Sequence, residues 1–94
     1  MRDNERRGQN QPGRRYFDVD FGIRYTIVAT DEWHALLLLR ESDADFEETL
    51  AELGEPDFVE LTPDQITARR LYDDGSGPYP ITEFPLGTVA SSEF

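Results

Sequence analysis

The sequence predicts an α+β domain: a small antiparallel sheet of three to four strands with one acidic amphipathic helix packed on a face. Three observations carry that expectation. Apolar and polar residues alternate from Tyr16 to Ile27, the period of a half-buried strand. Phe46, Leu50 and Leu53 recur at i, i+4 and i+7, the period of a helix with one buried stripe. Turn residues, Gly54 with Pro56 and then the run from Asp73 to Pro78, separate the further short apolar segments.

Composition bounds the rest. Ninety-four residues make one small domain, and 37% hydrophobic residues with eleven aromatics supply a real core. With no cysteine, disulfides, thiolate chemistry and cysteine metal sites are excluded. No apolar run approaches the roughly 20 residues of a membrane span, and no signal-peptide core is visible near Met1, so a cytoplasmic protein is expected. The net charge is −11, and all nine bases are arginine. Such a field repels phosphate backbones, so direct nucleic-acid binding by the folded part is not expected. A GC-rich genome or a salty cytoplasm would also produce an acid-rich, lysine-free chain.

Residues 1–15 are polar, with Met1 their only large apolar side chain, and read as a disordered basic tail. Five arginines stand there against two acids, so residues 16–94, expected to form the single α+β domain, hold a charge of −14. The alternation from Tyr16 predicts one long strand, or two joined at Gly22. Thr30 to Glu32 is a polar turn. The following WHALLLLR is ambiguous. As a helix it would take Asp31 as cap and suit the leucines; as a strand it would pair with 16–29 as a hairpin. The strand is favoured, because the run is short and a better-marked helix follows.

That helix starts near Ser42 or Asp43, either of which can cap it, and stops at Gly54 before Pro56. Phe58, Val59 and Leu61 suit a third strand. Thr62, Pro63 and Gln65 form a helix start with a capping box. The segment from Ile66 to Asp73 fits one or two helical turns or a strand, Pro80 and Pro85 bracket a short ITEF segment, and the last residues are expected to fray.

Chemistry-bearing residues are sparse. His34 is the only histidine, without a second imidazole or a cysteine to complete a metal site. No serine sits in a nucleophile motif. Asp43-x-Asp45-x-Glu47 matches the first ligands of a calcium loop, but Glu48 replaces the required glycine and Gly54 the bidentate acid. Asp18 and Asp20 could form a hydrolytic carboxylate pair, although solvent-facing strand acids are the commoner case. Gly75-x-Gly77 lacks the lysine of a phosphate loop. No catalytic residue, cofactor or metal is therefore expected, and the chain reads as a non-enzyme.

What stands out is the run from Glu41 to Asp64, with ten acids and no base. Asp43, Asp45, Glu47, Glu48, Glu52, Glu55, Asp57 and Glu60 are the candidate partner-binding residues. On a helical projection, Asp45 with Glu52 and Glu48 with Glu55 form two rows away from the apolar stripe. Asp43–Glu47 and Glu48–Glu52 are like-charge pairs, each costing roughly 0.2–0.5 kcal/mol. A sequence that keeps such repulsion lives in strong salt or meets a basic partner. In size and charge distribution the chain resembles the nucleic-acid-mimic inhibitors that phages and plasmids direct against restriction or CRISPR systems, a resemblance of physics that covers no motif. It implies an acidic inhibitor that docks on a basic, nucleic-acid-binding protein surface. An immunity protein or antitoxin, or an accessory subunit of a larger enzyme, are the alternatives, and a homodimer is compatible with the sequence.

Overall fold

The computed structural model describes residues 13–73 and 75–91. Strands β1 (Arg15–Phe21) and β2 (Ile23–Ala29) are followed by helices α1 (Glu32–Ser42) and α2 (Phe46–Leu53). Strand β3 (Phe58–Glu60), helix α3 (Pro63–Ala68), strands β4 (Arg70–Asp73) and β5 (Ser76–Pro80), a 3-10 turn (Ile81–Glu83) and strand β6 (Val89–Ser91) complete the chain. The fold is α+β as expected: an antiparallel four-stranded sheet in the order β3-β1-β2-β6, with β4 and β5 forming a separate two-stranded ribbon.

The segment 16–29 is its own hairpin. The chain reverses at Gly22, whose φ of +86° suits a residue without Cβ, and Phe17 faces Ile27 while Val19 faces Tyr25. Reversal about a single residue leaves the parity of the alternation unchanged. Phe17, Val19, Phe21, Tyr25 and Ile27 therefore share one face, whether the chain turns at Gly22 or runs straight on.

The strand expected for residues 33–40 is a helix, α1, and it does not pair with 16–29. Its start explains why. The Asp31 carboxylate accepts the His34 backbone N–H at 2.8 Å, while His34 Nδ1 accepts the Thr30 backbone N–H at 3.0 Å. This reciprocal pair does the work of a capping box. Ala35 and Leu39, four apart, are fully buried against the sheet, and Leu36 and Leu38 flank them half-buried. His34 is thus a structural residue at a helix start.

The core has two parts. On one face α1 and the start of α2 cover Phe17, Val19, Phe21, Tyr25, Ile27 and Ala29. Phe46 meets Phe21 at a centroid separation of 5.2 Å, and Phe58 stands edge-on to Phe17 at 6.4 Å. Burial of the Phe17, Phe21 and Phe46 rings is worth about 1.5–3 kcal/mol each, and that of half-buried Phe58 less. On the other face Tyr16 and Val28 pack with Leu61, Leu71 and Ile81, and half-buried Ile66 and Phe84 join them.

The third strand stands where the sequence places it, with Phe58 opposite Val19 and Glu60 opposite Phe17. The capping box of α3 also forms: Thr62 Oγ1 accepts the Gln65 backbone N–H and Gln65 Oε1 accepts that of Thr62. The segment after it is a helix and then a strand, rather than either alone. The C-terminal stretch expected to fray supplies an edge strand as far as Ser91, because Val89 and Ser91 find open partners in Ile27 and Tyr25. Residues 1–12 of the expected tail lie outside the described residues. Its last two residues belong to the fold: Arg15 begins β1, and Arg14 donates to Tyr16 Oη at 2.8 Å and to the carbonyls of Thr82 and Phe84. No helix among the described residues is long and apolar enough to cross a membrane.

Candidate functional site

The eight acids singled out in the sequence separate into two groups. Asp43 and Glu60 are engaged within the fold. Asp43 ends α1, where one carboxylate oxygen accepts from Tyr25 Oη at 3.1 Å and the other from the Asp45 backbone N–H at 2.9 Å. It ties the α1–α2 connection to the sheet and caps no helix with its side chain, contrary to expectation. Glu60 forms a two-bond fork with Arg15, at 2.8 and 2.9 Å. The Arg15 guanidinium holds the Glu60 carboxyl below its ordinary range, since its hydrogen bonds outweigh the slight desolvation.

The other six, Asp45, Glu47, Glu48, Glu52, Glu55 and Asp57, are exposed. Among the described residues no arginine pairs with them. They follow α2 from end to end. Asp45 stands at the N-cap position without a side-chain capping bond, Glu47 and Glu48 fill the first turn, and Glu52 lies one turn on. Acids at that end suit the positive helix terminus. The helix stops at Gly54, with φ +83°, so Glu55 and Asp57 fall in the connection to β3. Of the two rows projected from the sequence, only the one from Asp45 to Glu52 survives. Glu48–Glu52 remains a like-charge pair on one helix, whereas Asp43 lies outside α2 and does not stack on Glu47.

The hold on α2 is slight. Phe46 is buried, Leu50 is half-buried, and Thr49 sits over Gly22 at the hairpin tip, 3.7 Å from where a Cβ would stand. Leu53, expected to complete the buried stripe, is 60% exposed. The helix therefore projects its acids from a narrow apolar footing.

Between α1 and α2 runs an open groove of about 670 Å³. Trp33, Leu36, Leu37, Phe46, Leu50 and Phe58 line it. Trp33 is 66% exposed and Leu37, one turn along the same helix, 36%. Glu32, Glu47 and Glu55 stand on its rim with Arg40 as the one base. Sequence reading did not find this groove, since the helix that forms its wall was expected to be a strand.

The carboxylates considered for hydrolysis lie on the opposite face. Asp18 takes a bidentate fork from Arg69, at 2.6 and 2.9 Å, and a third bond from Thr26 Oγ1 at 2.9 Å. Burial pushes its carboxyl up, but the bonds from Arg69 and Thr26 and the arginine charges more than offset this and leave it below the ordinary value. Asp20 is exposed in the shallow recess beside it, with Arg24 and Asp57. An anchored Asp18 has no proton to give near neutrality. Among the described residues no group of three or more histidine, aspartate or glutamate side chains is arranged to hold a metal ion.

No family model, no curated protein and no solved structure matches this chain.

Proposed function

We propose that this protein is a non-enzymatic inhibitor that docks its acidic α2 face on a basic, nucleic-acid-binding surface of another protein. One observation carries the reading: five exposed carboxylates, Asp45, Glu47, Glu48, Glu52 and Glu55, follow one short helix and its exit, and no arginine among the described residues forms an ion pair with them. The eight-residue helix spans about 12 Å. From Asp45 at the N-cap to Glu52, the carboxylates of Asp45, Glu47, Glu48 and Glu52 supply one charge per roughly 3.5 Å of axis on average, near the ~3.4 Å spacing of phosphates along one nucleic-acid strand. An arginine-lined groove built for phosphates meets a similar charge density here. Such contacts act mainly on association rate and weaken with salt.

The test is charge reversal. The double substitution Glu48→Arg and Glu52→Arg changes the local charge by +4 and leaves the Phe46 and Leu50 footing intact. Arginine is a good helix former, and the arginine pair is of like charge as was the glutamate pair it replaces, so α2 persists. Affinity for a nucleic-acid-binding domain that retains the parent protein falls ten-fold or more, about 1.4 kcal/mol or above. Binding by the folded double variant at parental strength refutes the reading.

A further inference from the structure

We infer that the groove between α1 and α2 is a second half of the docking surface, and that it takes a basic amphipathic segment of the partner whose apolar side chain anchors against Trp33 and Leu37. This deepens the reading above and rests on it for the basic character of the partner.

The groove has the parts such an occupant needs. Its floor of Leu36, Phe46, Leu50 and Phe58 is continuous with the core, so it is preformed. Its wall is formed by Trp33, the most exposed aromatic among the described residues, and by Leu37 one turn along the helix. An exposed tryptophan next to carboxylates attracts guanidinium groups by its ring face as well as by its neighbours' charge. Three acids against one base give the rim a net negative charge. Glu47 and Glu55 belong both to this rim and to the acidic strip of α2, so one ligand reaches both surfaces. Helix-in-groove recognition reads anchors at i, i+4 and i+7, and basic residues on the remaining arc would meet the rim.

The charges on the chain disfavour the other occupants. A second copy brings another −11 to a surface that is already negative. Residues 1–12 of the same chain carry three arginines, but Met1 and Pro12 are their only apolar residues, which leaves the groove without a fitting anchor.

Trp33 is the only tryptophan, so its fluorescence reports the groove directly. The probes are three helical peptides of about 16 residues: one with leucine or phenylalanine at i, i+4 and i+7 and arginines elsewhere, one with those anchors changed to alanine, and one with the anchors kept and the arginines changed to glutamine. The anchored basic peptide should shift Trp33 emission to the blue and bind at least ten-fold more tightly than either control. Leu37→Gln, which removes the apolar contact without adding charge, should remove that advantage while leaving the weak binding of the alanine peptide unchanged. If both arginine peptides bind equally and Trp33 emission does not move, the groove inference falls and the acidic face stands. Equal binding of the glutamine peptide overturns the basic occupant. If no peptide binds, both readings fail. A dimer in sedimentation that Leu37→Gln dissociates would assign the groove to a second copy and overturn the proposal.

Discussion

Replacing Arg69 by alanine tests how the half-domain of α3, β4 and the 3-10 turn is held to the sheet. Arg69 sits between α3 and β4, and its guanidinium crosses to the sheet to meet Asp18 twice and Thr26 once, at 2.6, 2.9 and 3.1 Å. Hydrogen bonds to a charged group are each worth about 1.5–3 kcal/mol. The two side chains keep 28% and 32% exposure, so water replaces part of what is lost. A net cost of about 2 kcal/mol follows, or roughly 8–16 °C in melting temperature for a domain of this size. The pH dependence is a sharper check. The Asp18 carboxyl lies below its ordinary value in the folded protein, so the contribution of the pair is complete above the unfolded value of about 3.9. It is lost as pH falls through the folded value. Melts of parent and variant by circular dichroism should differ most near neutrality and converge in acid. An unchanged melting temperature at pH 7, or a gap that persists undiminished into the acid limb, would refute this account of the junction.

Three further outcomes follow from the structure. Raising sodium chloride from 0.01 M to 0.15 M shortens the screening length from about 30 Å to 8 Å and should raise the parent melting temperature, since no arginine among the described residues forms an ion pair with the α2 acids; the Glu48→Arg, Glu52→Arg variant should respond less. Gly22→Ala forces a Cβ into the left-handed region at the hairpin tip, where Thr49 leaves space, so strain alone should cost about 1–2 kcal/mol in a urea titration. His34→Ala removes the acceptor for the Thr30 N–H and should lower stability by about 1 kcal/mol, whereas a structurally idle histidine would leave the midpoint unmoved.

Much of the fold was legible in short-range chemistry. The odd-numbered apolar residues of 17–27 share a face as read, the Thr62–Gln65 capping box closes α3, and Gly54 ends α2. What was missed has identifiable causes. Leu36 to Leu39 are all apolar, so they carry no period; Asp31 was weighed as a helix cap, but the bond from the Thr30 N–H to His34 that completes the helix start was not foreseen, because Thr30 read as turn and His34 as a lone imidazole. The hairpin at Gly22 hides because a one-residue reversal preserves parity. Strand β6 is too short and too weakly apolar to announce itself and exists because β2 offers it an open edge. Asp18 and Arg69 stand 51 residues apart, beyond any local pattern. In the acidic stretch the composition was plain, but which acids are engaged was not. Glu60 meets Arg15 only through sheet register, and Asp43 meets Tyr25 only because α1 is a helix that ends over β2.

Competition between the protein and nucleic acid for one basic surface tests the central claim most directly. A fluorescently labelled duplex bound to a nucleic-acid-binding domain that retains this protein should be released as the protein is added, with a steep loss of potency as salt rises. The Glu48→Arg, Glu52→Arg variant should release it at least ten-fold less effectively. A ternary complex in which the duplex stays bound, or release by the variant at parental concentrations, would contradict the account.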